Sequence, residues 1–355
     1  MLLEFDRAFI ERPTAQPLPE AVLRRIQVAY CKAKADPRGF RSAYRVGNEW
    51  SPIYEKYMST FISALQDNST TVLRDLLENF FRRDFSNGLH GLHFEMVERY
   101  MTPGRPISAP DMEAYAQTVA ADMDRLFKSI PDLDLRCIDS PIVGNPYGYL
   151  IDGRFHYGLH FLYFANKMAM MTGTANPRIV ELGAGYGGLP WAIRTRMPGS
   201  RYIDFDLPEV LALASFYILS AFPQARVALF GEVDLAHTAN IDRHDFVFMP
   251  NFEIESLPDD WADLAFNSWS LAEMEPGPIA NYVGHLCRTA RHYFFHVNHA
   301  VHCKVSADLF PVDWKKFALL HRAPAMWGKS SHRNNVICEH EYVYVNRCQT
   351  QAAAN

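Results

Sequence analysis

Ile179-Val180-Glu181-Leu182-Gly183-Ala184-Gly185-Tyr186-Gly187-Gly188 is the stretch on which the reading of this chain turns. A short apolar run stops abruptly in glycines, and helical spacing resumes over Leu189–Arg196. The pattern predicts a buried strand that hands over to a helix through a tight turn. Glycine permits such a turn and lets a ligand approach the backbone closely. The helix that follows opens with N–H groups that have no partner inside the helix.

Two cofactors use a turn of this kind. Gly183, Gly185 and Gly188 satisfy G-x-G-x-x-G, a dinucleotide fingerprint that is weak on its own. Glu181, two positions before the first glycine, favours the other candidate, S-adenosylmethionine (SAM). A pyrophosphate gains nothing from an extra carboxylate, whereas SAM carries an ammonium and a sulfonium. Asp206 lies 21 residues after Gly185, at the end of the next strand candidate, Arg201–Phe205. There it can accept hydrogen bonds from both ribose hydroxyls, at the carboxyl end where open α/β sheets bind ligands. Asp204 shares its strand face but sits deeper.

Strands and helices alternate outward from this point. Pro208–Phe222 reads as a helix with proline near its start, where a missing N–H does no harm. Further strand candidates are Arg226–Phe230, Phe246–Pro250, Leu264–Asn267, His292–Asn298 and Tyr342–Val345. Phe155–Met171 is a strongly apolar helix candidate. Such alternation predicts an α/β fold, a mainly parallel sheet with helices on both faces. The first ~140 residues read mostly as helix. In Thr71–Phe81, Val72, Leu73, Leu76, Leu77 and Phe80 form one apolar stripe. Thr102-Pro103-Gly104-Arg105-Pro106 is a break, and Asp111–Ile130 resumes the helical pattern. Pro131–Tyr149, rich in proline and glycine, reads as a linker. The expected organisation is a helical N-terminal domain over 1–140 and a Rossmann-like domain over 141–349, with a frayed tail from Gln349.

Composition sets outer limits. The chain has 355 residues, 48% hydrophobic and 21% charged, with net charge −5, an ordinary globular balance without a basic excess that would suit nucleic acid. Charges at Glu4, Asp6, Arg7, Glu11 and Arg12 interrupt any signal-peptide core, and no run approaches the ~18 apolar residues of a membrane span. Six cysteines lack C-x-x-C or zinc spacing and read as free thiols. The expected setting is soluble and cytoplasmic. An apolar helical first half would suit pairing with a second copy.

Glu181-Leu182-Gly183-Ala184-Gly185 resembles the first motif of class I SAM-dependent methyltransferases. Three further stretches resemble a narrower group, the bacterial sugar O-methyltransferases. They are Tyr202-Ile203-Asp204-Phe205-Asp206-Leu207-Pro208-Glu209, Phe266-Asn267-Ser268-Trp269-Ser270-Leu271-Ala272-Glu273-Met274, and Tyr293-Phe294-Phe295-His296-Val297-Asn298-His299. The resemblance covers about Gly173 to Arg347. It implies a Rossmann-like class I methyltransferase sheet, with SAM held by Glu181, Gly183, Ala184, Gly185, Asp206 and Leu207. Asn267 and Ser268 would face the methionine moiety or the acceptor. Arg226–Phe230 and Phe246–Pro250 compete for the third core strand, so Asn251, with Phe252, is offered for the adenine only provisionally.

Transfer to a sugar hydroxyl needs a general base, because an alcohol is a poor nucleophile. His299, just past the fifth core strand, is the first candidate, with Glu273 second. Asn298 would hydrogen-bond the acceptor, as would Asn267. His296, mid-strand, reads as core. His90 and His93, near Arg82 and Arg83, could reach in from a helical lid. No compact Asp/His cluster calls for a metal. The acceptor is expected to be a small molecule, a sugar or glycosylated compound. The competing readings are an NAD-linked oxidoreductase on the same turn and a non-catalytic SAM-fold partner protein.

Overall fold

The computed structural model describes residues 3–4, 10–48, 50–67, 69–86, 88–89, 108–130, 133–301, 303–326 and 338–348. The expected break at Thr102–Pro106, His90, His93 and the tail from Gln349 lie outside the described residues.

The glycine segment does end a strand. β4 (Arg178–Leu182) is buried along almost its whole length, as a central strand covered on both faces must be. Parallel neighbours flank it: β5 (Arg201–Asp206), in register Glu181 to Asp204, and β8 (Ala262–Ser268), in register Leu182 to Asn267. β7 (Phe246–Pro250) pairs with β5, and β6 (Val227–Leu229) pairs outside β7. The competition for the third position is thereby resolved. Both segments are strands, and Phe246–Pro250 is the one beside β5. On the other side β9 (Ala290–His299) runs parallel to β8, then β11 (Glu339–Asn346) and β10 (Phe317–Pro324) are antiparallel. The spatial order is β10-β11-β9-β8-β4-β5-β7-β6. This is the Rossmann-like α/β sheet with helices on both faces that the sequence led us to expect.

Among the described residues the longer helices are α1 (Glu20–Ala35), α2 (Ser59–Gln66), α3 (Thr70–Glu78), α4 (Ala109–Ser129), α5 (Leu159–Thr172), α6 (Gly188–Arg196), α7 (Pro208–Ala221) and α8 (Pro276–Thr289). Pro208 occupies the first turn of α7, where its missing N–H costs nothing. Ser108 caps α4 by accepting the Asp111 N–H at 3.3 Å. One core joins the N-terminal helices to a sheet face: Leu23, Ile26, Phe61 and Leu77 share it with Phe216, Tyr217, Ile179 and Tyr202. The opposite face packs Val180, Ile203 and Phe205 against Tyr282, Val283 and Leu286 of α8. The boundary near residue 140 thus marks a change of secondary structure, while packing runs across it.

Two local readings need correction. Phe155 does not begin a helix. Tyr149–Ile151 (β2) and Arg154–His156 (β3) form a hairpin through Asp152-Gly153, both at positive φ (48° and 81°). Asp-Gly is a strong hairpin signal, here hidden by the apolar run after it, and α5 starts only at Leu159. The sequence reading also omitted β10. Much of that edge strand is exposed, and a bulge between Leu319 and His321 breaks its alternation.

Candidate active site

The turn after β4 is held by the neighbouring strand. Gly183 and Gly185 adopt φ of 85° and 60°, where a β-carbon is strained. The Gly183 N–H donates to the Phe205 carbonyl at 2.9 Å. The next two N–H groups donate to carboxylates, Ala184 to Asp204 Oδ1 and Gly185 to Asp206 Oδ2, each at 3.2 Å. Space is short as well: a β-carbon on Gly183 would lie 2.8 Å from Ser270 Oγ. On Gly188 it would lie 2.2 Å from the Phe161 ring. The third glycine of the dinucleotide pattern therefore serves packing of α6 against an aromatic ring.

Above the turn lies a cleft of about 300 Å³, at the small end of the roughly 300–1,000 Å³ typical of ligand pockets. It runs across the carboxyl ends of four strands. Asn251 follows β7, Asp206 and Leu207 end β5, Glu181–Gly185 end β4, and Ser268, Trp269 and Ser270 end β8. Glu273, Glu275 and Tyr282 close one wall, with His160 and Phe161 from α5. The roof comes from the N-terminal half: Ser42, Ala43, Arg45–Asn48 and Trp50, with Gly88 and Leu89. Hydrogen bonds fasten it down. Trp50 Nε1 donates to Glu273 Oε2 at 3.0 Å, Asn251 Nδ2 to the Tyr44 carbonyl at 2.9 Å, and Tyr54 Oη to Glu209 Oε2 at 2.9 Å.

Glu181, Gly183, Ala184, Gly185, Asp206, Leu207, Asn251, Ser268 and Glu273 thus meet in one cleft. Four other expected site residues, Asn267, Asn298, His299 and Phe252, are not among the lining residues. The Asn267 amide lies below the floor, donating to the Leu182 carbonyl at 2.8 Å and Ser270 Oγ at 2.6 Å. Asn298 lies deeper still; its amide donates to Asn267 Oδ1 at 2.9 Å and its oxygen accepts the Ala272 N–H at 3.1 Å. Both asparagines are bonded to the β8 loop, and neither is among the residues that line the cleft. His299 is not among the cleft residues, because its Nε2 is turned toward Glu339 Oε1 on β11, at 3.3 Å. Phe252 is also beneath the cleft, with the Arg38 guanidinium 4.7 Å above its ring. His296 is core, fully buried and stacked on Tyr342.

Electrostatically the cleft is acidic. Burial drives the Glu181 carboxyl well above its ordinary range, reinforced by the charge of Asp206. Tyr202 Oη donates to Glu181. Burial lifts Asp206 to about 7, although the Leu207 and Gly185 N–H groups pull the other way. Asp204 also rises through burial, with Asp206 and Glu181 adding repulsion. Asp206 lines the cleft and Asp204 does not. Four acidic residues border the cavity, Glu181, Asp206, Glu273 and Glu275, against the single cation Arg45 among the described lining residues.

His160, Phe161, Trp269 and the roof escaped the sequence reading. His160 sat inside an apolar run read as buried helix, and nothing in residues 42–50 links them locally to a strand end. Trp269 carries a signal that sequence does not display: φ 63°, ψ −41°. That conformation is rare for a bulky residue, and such strain concentrates at functional sites.

No protein family matches the chain, and no curated protein matches it. Solved structures with similar folds include a mitomycin 7-O-methyltransferase, 13% identical with TM-score 0.33, covering 53% of this chain and 55% of that one. A glycopeptide N-methyltransferase complexed with SAM is 12% identical with TM-score 0.34, covering 51% and 92%. Magnesium protoporphyrin IX methyltransferase from Synechocystis PCC 6803, with bound SAM, is 10% identical with TM-score 0.35, covering 66% and 93%. Each is a partial likeness in fold.

Proposed function

We propose that this protein is a SAM-dependent methyltransferase that acts on a hydroxyl of a small acceptor, a sugar or sugar-bearing compound. The observation that carries the proposal is the sign of the cleft. A glycine turn bordered by the carboxyls of Glu181 and Asp206 suits a ligand with a sulfonium and an ammonium, whose charge favours their ionised forms, and offers a pyrophosphate only Arg45 among the described lining residues. The residues fit the cofactor. Gly183 and Gly185 leave backbone room that a side chain would fill, and Asp206 has lone pairs beyond the two N–H bonds it accepts.

In this reading Asp206 takes the ribose hydroxyls, and Asn251 stands at the adenine end. Its amide is already committed to Tyr44 and Tyr282, so it shapes that end more than it reads the base. SAM supplies a methyl carbon with a good leaving group. The protein's part is to align the acceptor, exclude water and accept a proton. The N-terminal segment acts as a lid over the cofactor. The sugar preference rests on the resemblance of residues 266–274 and 293–299 to sugar O-methyltransferases.

Calorimetry against SAM, S-adenosylhomocysteine and NAD⁺ tests the class. SAM and its product should bind, and at 100 times Kd each should stabilise the protein by about 2.7 kcal/mol. Binding of NAD⁺ with none of SAM would end this reading. Transfer to methyl glycosides or nucleotide sugars, followed as release of S-adenosylhomocysteine, tests the acceptor.

A further inference from the structure

The cleft has a direction. Asp206 on β5 marks its ribose end, so the sulfonium must lie toward β4 and β8. That end holds one histidine among the described lining residues, His160, in the first turn of α5. Its ring centroid lies 3.9 Å from that of Phe161 and 5.9 Å from that of Trp269, the strained residue that follows β8. The two aromatics pack against the imidazole at this end of the cleft.

We propose that His160 is the general base for methyl transfer, an inference that rests on the SAM reading above. The acceptor oxygen forms its bond to the methyl carbon as the carbon–sulfur bond breaks, with that electron pair left on sulfur. The hydroxyl proton passes to a ring nitrogen of His160 and from there to water. Glu273, the other proton acceptor at this end, already takes the Trp50 indole N–H at 3.0 Å. A carboxylate is ordinarily a weak base near neutral pH, whereas imidazole is matched to it. The other charged groups on the cleft wall are Glu181, Asp206, Glu275 and Arg45.

The test needs no acceptor. SAM and S-adenosylhomocysteine differ by one methyl group and its positive charge. Histidine ring signals are followed by NMR against pH in the intact protein with each ligand, and His160→Gln identifies the signal by its loss. A unit charge several ångströms away at intermediate dielectric should lower the ring's titration midpoint with SAM, relative to S-adenosylhomocysteine, by about 1 pH unit or more. A nuclear Overhauser contact between the ¹³C-methyl of SAM and a His160 ring proton, measured in wild type, is the second expected result and requires no variant. Identical titrations in the two complexes, with no methyl contact, would overturn the assignment. If neither ligand binds by calorimetry, the SAM reading itself has failed, and this inference falls with it.

Discussion

The two ends of the cleft are built differently. At the ribose end the functional groups are neighbours in sequence: a strand, its glycine turn, and the acid closing the next strand. At the acceptor end, Trp50, His160 and the Trp269–Glu273 loop come from three separate segments. A cofactor shared by many enzymes needs a compact, repeatable cradle. An acceptor site can be assembled from whatever the fold brings near. The β4–β5 end is therefore local in sequence, while the other end depends on packing between distant segments.

The sharpest break in that contrast comes from Gly183→Val. A β-branched residue at φ 85°, with its β-carbon 2.8 Å from Ser270 Oγ, should abolish detectable SAM binding by calorimetry while the folded core persists. Wild-type affinity would remove the turn from the site. Next in size is Asp206→Ala, which should weaken SAM by roughly 1.5–3 kcal/mol, the range for hydrogen bonds to a charged group. Asp204→Asn, outside the cleft and near-isosteric, should change affinity far less. The reverse ranking would mean that the wrong acid has been assigned.

Acidity sharpens the same end. With Asp206 lifted to about 7, its ionised form is the stronger acceptor for the ribose hydroxyls and the form that favours the cation. Affinity for SAM should fall about tenfold between roughly pH 8 and pH 6, and Asp206→Asn should flatten the curve. The unliganded protein responds in the opposite sense. A carboxyl with a raised folded pKa holds its proton longer folded than unfolded, so its contribution to stability declines as pH rises from the ordinary carboxylate range toward 7. A SAM affinity independent of pH would refute this account of Asp206. The smallest effect on binding belongs to His299→Ala. Loss of its contact with Glu339, which is 2% exposed, should cost about 1–3 kcal/mol of stability in denaturant melts. SAM affinity should stay within about twofold, and a larger change would place His299 back beside the cleft.

What the sequence disclosed follows the same divide. The strand end at Glu181–Leu182, the glycine turn and the strand end at Asp206 were legible because strand ends and turns are written in consecutive residues. Phe246–Pro250 and Arg226–Phe230 were both visible as strands, but their order in the sheet is a pairing choice that no local pattern encodes. His299 and Asn298 misled because the end of a strand was equated with the wall of a cleft. Pairing of β9 with β11 turns His299 away, and the β8 loop covers Asn298. His160 carried no periodic signal, since its place is set by the packing of α5 against Trp269.

The spatial order of the strands differs from their order along the chain, and biosynthesis must contend with that. Leu182 receives the Asn267 amide hydrogen bond from a residue made 85 positions later. At ~5–20 residues per second, the glycine turn waits roughly 4–17 s on the ribosome before its second flanking strand exists. Until then the apolar strand Ile179–Leu182 has an open side, and the nascent chain offers no finished nucleotide cradle. A ligand that binds this turn, such as the SAM proposed above, would therefore act only late, by stabilising the completed sheet.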